Sequence, residues 1–294
     1  MPGLRRSPRS YLYVPGDSVE KLAKALSREA DAVIVDLEDA IAPDSKTAAR
    51  QAALEWLASI ADGDQLGTEI WVRINSGGFG VEDLRAVFSP VLDGICVPKV
   101  HSAHDLAPVR QLLCDLAAKT PPRAGSVLLQ PLIETASGVL SAEEIARVEG
   151  VQRLQLGEVD LGAELGVERS NDDREFLFAR SHLVLACAAA GIDPPVGPVS
   201  VDFTDVERFR SGTLALKRLG FRSRACIHPA QVKVANEVFA PSSPEIERAH
   251  RLVRAFEQAV ADGSGVLRDD NGAMVDEAVV RAARRLLEES GDEA

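Results

Sequence analysis

Short apolar runs alternate with amphipathic stretches along most of this chain, and that alternation limits the fold more than any other feature. Ser10–Gly16, Asp31–Asp39, Thr68–Ser76, Gly94–Val100, Ser126–Glu134, Val151–Asp160, Val196–Asp202 and Arg224–Pro229 read as strands. Between them, Ser18–Glu29, Pro43–Ile60, Val81–Phe88, Ala103–Ala118, Ser137–Val148, Asp172–Ala190 and Asp205–Leu219 carry apolar residues at helical spacing. Asp17 or Ser18 suits the first helix as N-cap, Pro43 and Asp44 open the second, and Pro121 and Pro122 break the chain after the fourth. Eight strands alternating with helices, in units of about thirty residues, are what a closed α/β (β/α)8 barrel, a TIM barrel, requires. An open doubly wound sheet would carry a glycine-rich fingerprint after its first strand, and YVPGDS is not one. Beyond Pro229 the alternation stops. Gln231–Phe239 reads as helix, Ala240–Pro244 as linker, Glu245–Ala261 as an amphipathic helix and Glu277–Glu289 as another, with a polar, turn-rich stretch at Gly263–Met274. The expected division is a barrel over residues 1–239 and a C-terminal helical extension over 240–294 that packs on a neighbouring surface.

In a (β/α)8 barrel the chemistry gathers at the C-terminal ends of the strands. Those ends supply Asp36, Glu38 and Asp39, then Arg73 and Asn75, Lys99, Glu134, Glu158 and Asp160, Asp202, and His228. No Ser-His-Asp or Cys-His pairing is among them. Glu134 closes LLQPLI and Asp160 closes LQLGEV, two successive strands of a parallel sheet, so both carboxylates are expected side by side on one rim. One or two carboxylates, completed by water and substrate oxygens, suit Mg²⁺. Arg73 has the planar fork for a substrate carboxylate, and serves equally as an ion-pair partner of Asp36 or Glu38. Lys99 is expected in a structural ion pair rather than a Schiff base, and His228 in a structural place on the rim.

Composition narrows the partners. A net charge of −12 over 294 residues argues against nucleic acid or an anionic membrane as partner, while small anions remain open to a local arginine or lysine. No uncharged run is long enough for a bilayer, and the apolar part of the N-terminus is too short for a signal peptide, so a cytoplasmic protein is expected. Cys96, Cys114, Cys187 and Cys226 lack paired metal-ligand spacing and read mostly as buried thiols.

The stretches RSYLYVPG, DAVIVDLEDAIAP with Lys46 and Arg50 following, WVRIN, VPK, LIETASG, GEVDLGAELG, FLFAR, RACIHPAQ and GAMVDEAVV together resemble the citrate lyase β-subunit family, within the malyl-CoA, citramalyl-CoA and HpcH/HpaI aldolase group. The resemblance runs from about Arg9 to the last helix. It implies a homotrimer of barrels and a Mg²⁺-dependent lyase that cleaves a short 3-hydroxyacyl-CoA thioester to acetyl-CoA and a 2-oxo acid. A hydroxyacyl-CoA thioesterase, or a lyase subunit that needs an acyl carrier protein as partner, is the alternative it leaves. By motif, Glu134 and Asp160 are implied as metal ligands and Arg73, with Glu134, as substrate-binding. Glu38 is implied near the metal and its waters, and Asp36 joins it among the catalytic candidates. Asp276 is implied to reach the adjacent subunit's site. Tyr13, Lys21 and the His228 strand end are implied as CoA contacts, although Lys21 and Lys24 also read as a solvated helix face. The sequence departs from the family pattern at Val159, at His101 after VPK, and in the proline-rich seventh-strand region, which leaves the acyl group open.

Overall fold

The structure is a computed structural model that describes residues 7–61, 67–121, 126–269 and 271–291. Pro122 and the basic residues 1–6 lie outside these. The elements in chain order are β1 (Ser10–Pro15), α1 (Val19–Lys24), β2 (Ala32–Asp36), α2 (Lys46–Ala61), β3 (Glu69–Arg73), α3 (Gly77–Val87), β4 (Gly94–Val97), α4 (Ala107–Ala117), β5 (Leu128–Ile133), α5 (Ala136–Leu140), α6 (Ala142–Ala146), β6 (Gln155–Leu156), α7 (Glu158–Leu165), α8 (Leu177–Ala190), β7 (Val196–Gly197), α9 (Val206–Leu219), β8 (Ser223–Cys226), α10 (Pro229–Phe239), α11 (Ser243–Ala261), β9 (Leu267–Arg268), β10 (Met274–Val275) and α12 (Glu277–Ser290). Strands β1 to β8 pair in sequence order, all parallel, and β8 returns to β1 to close the barrel. The chain is thus a TIM-type (β/α)8 barrel with a C-terminal helical extension. No helix among the described residues is long and apolar enough to cross a membrane.

Alternation sends every second strand residue to the barrel axis. Tyr11, Ile34, Trp71, Cys96, Leu132, Val196 and Ala225 meet there as one buried cluster. Trp71 fits because Gly94 faces it: a Cβ at that glycine would lie 2.1 Å from the indole ring. The buried indole still has a partner, since its N–H donates to Glu69 Oε2 at 2.9 Å. Truncating a side chain of this size costs about 3–5 kcal/mol. Helix ends follow their caps. Asp205 accepts from the Arg208 N–H at the start of α9, and Gly220, at φ +111°, ends it.

Contacts divide the chain into two compact units, Pro8–Glu237 and a second built on Val238–Ala294. The second has its own apolar core, from Ala249, Val253 and Phe256 of α11 to Val280, Ala283 and Leu287 of α12 with Val275 between. A Ser242–Glu245 capping box opens α11, and Asp276 caps α12.

Three expectations are corrected. The sixth strand stops at Leu156, and Glu158–Leu165 is a helix: Gly157 turns the chain, and two acids then occupy a helical first turn, where the backbone dipole favours them. Asp160 therefore stands in a helix rather than at a strand end. Helix α3 starts at Gly77 rather than at Val81, so Gly77, Gly78 and Gly80 are helical. The seventh strand shrinks to Val196–Gly197, because flanking Pro194, Pro195 and Pro198 have no N–H to donate.

Candidate active site

The mouth of the barrel opens on a cavity of about 820 Å³. Tyr13, Lys21, Asp36, Asp39, Arg73, Glu134, Gln155, Asp160 and His228 line it. At its centre, Arg73 at the end of β3 holds Asp36 at the end of β2 with two parallel bonds, Nε to Oδ1 at 2.7 Å and Nη2 to Oδ2 at 2.6 Å. Adjacent parallel strands in register put these two residues side by side. The Asp36 oxygens also accept the Glu38 and Ala40 N–H groups, so this carboxylate is fully engaged. Arg73 Nη1 turns to Asp39 Oδ2 at 3.2 Å and to Glu38 Oε2 at 2.9 Å, a contact without hydrogen-bond geometry. Burial opposes the Arg73 charge, but the bond to Asp36 and the surrounding negative groups raise its pKa regardless.

Lys99 does two jobs. Its ammonium pairs with Glu38 Oε1 at 2.6 Å, as the sequence led us to expect, and its backbone N–H donates to Glu134 Oε1 at 2.7 Å. That second bond needs Lys99 at φ +52°, a left-handed conformation costing a non-glycine residue about 1–3 kcal/mol. Burial raises the Glu38 carboxyl above the usual carboxylate range, although Arg73 and Lys99 pull it back. Asp39, half exposed, goes the other way: burial raises its carboxyl, but Arg73, Glu38 and Lys99 together outweigh that burial and lower it.

Glu134 is buried, and that burial pushes its carboxyl up to about 8; the Lys99 N–H lowers it, while the charges of Glu38 and Asp160 push it further up. Its Oε2 is left open by Gly157, where a Cβ would lie 2.8 Å from that oxygen. Among the described residues, no ion pair or hydrogen bond engages the Asp160 carboxylate, and no group of three or more His, Cys, Asp or Glu is placed to hold a metal. The Glu134–Asp160 pair still fits Mg²⁺, which takes one or two protein carboxylates and fills its shell with water and ligand oxygens. A carboxyl whose proton affinity burial and neighbouring acids have raised is one that a bound cation would ionise.

The remaining candidates spread out. Lys21 and Arg28 sit on the cavity wall without an ion-pair partner among the described residues, whereas Lys24 pairs with Glu20. His228 stacks on Phe203 at 5.1 Å and accepts the Ala230 N–H on Nδ1. Tyr13 turns its hydroxyl into the barrel, towards Gln155. Glu158 is drawn away by Arg180, at 2.6 and 2.9 Å, and by Arg169. Asp276 belongs to the second unit, where its Oδ1 accepts the Ala278 and Val279 N–H groups. Gln155 was missed. The signal was there: Gln155 is a polar residue between Leu154 and Leu156, in the apolar run of the sixth strand.

A model of the HpcH/HpaI aldolase/citrate lyase family matches residues 9–229. A (3S)-malyl-CoA thioesterase of Cereibacter sphaeroides is 37% identical over 281 residues, 95% of this chain and 93% of that one. The citrate lyase subunit beta of Escherichia coli is 33% identical over 285 residues, covering 96% and 93%. Among solved structures, CitE from Mycobacterium tuberculosis in complex with magnesium, acetoacetate and coenzyme A matches with a TM-score of 0.78 at 30% identity, covering 98% of this chain and 100% of that one. This chain therefore belongs to the HpcH/HpaI aldolase/citrate lyase family and is a citrate-lyase-β-like enzyme.

Proposed function

We propose that the protein is a Mg²⁺-dependent lyase that cleaves a short 3-hydroxyacyl-CoA of the malyl, citramalyl or citryl type. The observation that carries this reading is the Glu134–Asp160 pair, a buried carboxyl pushed up to about 8 beside an unpaired acid, open to a cavity with arginine at its floor. In cleavage, the substrate hydroxyl loses its proton and becomes the carbonyl of the 2-oxo acid. The adjacent carbon–carbon bond breaks, and its electron pair passes to the thioester enolate, which takes a proton on carbon. Mg²⁺, when bound, polarises the oxo-acid oxygens. Glu134 and Asp160 would hold it. Arg73 faces the oxo-acid carboxylate with the N–H groups that Asp36 leaves over, so Asp36 acts by fixing Arg73 rather than by touching substrate. Glu38, raised by burial and gripped by Lys99, is placed to hold a proton near the reacting oxygen. Asp276 of a neighbouring subunit in a homotrimer is the candidate that exchanges the proton on carbon. Lys21, with His228 also on the cavity wall, would contact the CoA half, for which unpaired cations suit the phosphates.

Thioester hydrolysis in the same site is the second reading, favoured by the 37% identity to a (3S)-malyl-CoA thioesterase. A screen of malyl-, methylmalyl-, citramalyl- and citryl-CoA with Mg²⁺ separates the two. The lyase yields acetyl- or propionyl-CoA and an oxo acid; the thioesterase yields free CoA and a hydroxy acid. Turnover only of a carrier-bound acyl group points to a subunit that needs an acyl carrier protein. No Mg²⁺-dependent turnover of either form sinks the proposal.

A further inference from the structure

Below the carboxylates, the barrel axis carries a line of polar side chains for which the proposed chemistry has no use. Gln130 of β5 donates from Nε2 to Gln155 Oε1 at 2.7 Å, and Gln155 of β6 donates from Nε2 to the Tyr13 hydroxyl oxygen at 2.8 Å. Both amides are buried, Gln130 completely. Burying amides costs free energy that the mutual bonds only partly recover, since Gln130 Oε1 has no partner among the described residues. That orphan sets the direction of the line. Turned round, Gln130 would present an NH2 group where one oxygen now lacks a donor, and an orphaned buried N–H is the rarer arrangement. The Tyr13 oxygen therefore accepts from Gln155, and its own hydrogen must point elsewhere. Its other neighbour is Cys96 Sγ at 3.8 Å, a weak acceptor. Tyr13 also lines the mouth cavity, with the Arg73 guanidinium 5.1 Å from its ring centre. Burial holds the phenol well above its ordinary pKa, so it keeps its hydrogen.

We propose that Tyr13 donates a hydrogen bond to an oxygen of the acyl substrate in the mouth cavity, and that Gln155, held by Gln130, is the positioning residue that reserves the hydroxyl for it. This rests on reading the cavity as a 2-oxo-acid site. A neutral donor beside Arg73 favours substrates with an acceptor at that position over analogues without one.

The chain has two tyrosines, Tyr11 and Tyr13, so tyrosine labelled with ¹³C at Cζ gives two resonances, assigned by Tyr13→Phe. In the metal-free protein, Gln155→Leu should move the Tyr13 resonance and leave that of Tyr11; Gln155→Met replaces it should the leucine variant fail to fold. Adding Mg²⁺ with pyruvate, oxaloacetate or glyoxylate should move the Tyr13 resonance of the wild type. By calorimetry, Tyr13→Phe should bind the tightest of these about ten-fold more weakly, the worth of one hydrogen bond. Gln155→Leu should weaken binding less, and should cost nothing further in the Tyr13→Phe background. The proposal is overturned if an oxo acid binds the wild type without moving the Tyr13 resonance, if Tyr13→Phe binds as tightly, or if the two losses add in full. A wild type that binds none of the three acids is a different failure: it removes the reading of the cavity, and this proposal with it.

Discussion

At the scale of the residue, Glu134 is a carboxyl whose environment is far from that of water. Its folded value of about 8 exceeds the roughly 4.3 of a free glutamate, so the metal-free fold holds this proton more tightly than the unfolded chain does. The group's contribution to stability is therefore complete in acid and is lost as the pH climbs from about 4.3 to about 8. Urea titrations of the metal-free protein across that window should show the decline, and Glu134→Gln should flatten it. At pH 7, Mg²⁺ with an oxo acid should displace close to about one proton per site, read from calorimetry in buffers of different ionisation enthalpy. No release, with binding intact, removes Glu134 from the metal. Arg73 is the second such group. Arg73→Lys keeps a charge but loses the fork that holds Asp36, so we expect a clear fall in melting temperature together with oxo-acid affinity weakened by about ten-fold or more. Unchanged affinity in a folded variant would remove Arg73 from substrate binding.

At the scale of the element, the site depends on how β6 gives way to α7. Gly157 is the joint, and a Cβ there would lie 2.5 Å from Glu134 Cβ. Gly157→Ala should therefore push Glu134 aside and weaken Mg²⁺ binding about ten-fold or more, while Gly78→Ala, at an exposed helical position with open space around it, tests the cost of a glycine replacement in its own right. Equal metal affinity in wild type and Gly157→Ala would mean that Glu134 has room the backbone does not show. The acids of GEVDL were legible as a pair near a rim; their helix was not, because four residues of alternating LQLGEV look like strand until Gly157 turns the chain. Lys99 is a similar case. Its ion pair followed from charge and position, but nothing local announces a left-handed lysine, whose N–H bonds Glu134 while its ammonium bonds Glu38.

At the scale of the whole molecule, Asp276 carries the prediction that a site is shared between subunits. Because it caps α12, Asp276→Ala costs the helix about 1 kcal/mol as well as any acid role. Asp276→Asn keeps the cap and removes the acid, so its inactivity would belong to chemistry. Mixed with Glu134→Gln, which should also be inactive alone, it should regain part of the activity after subunit exchange. Full activity of Asp276→Asn, or none after verified exchange, defeats the shared site. The barrel itself was written in the sequence: each strand and helix has a period that local sterics impose, strands buried on both faces call for a parallel sheet covered by helices, and the missing glycine fingerprint favours the closed form over the open one. The acids, Arg73 and Lys99 at the strand ends were legible for the same reason. Tertiary structure alone decided that Arg73 spends its fork on Asp36, that Glu158 is captured by Arg180 and Arg169, and that Gln130, Gln155 and Tyr13 form one directed line. Those pairings join residues from different strands and helices, and their geometry and proton affinities come from burial and from neighbours that no local stretch of sequence contains.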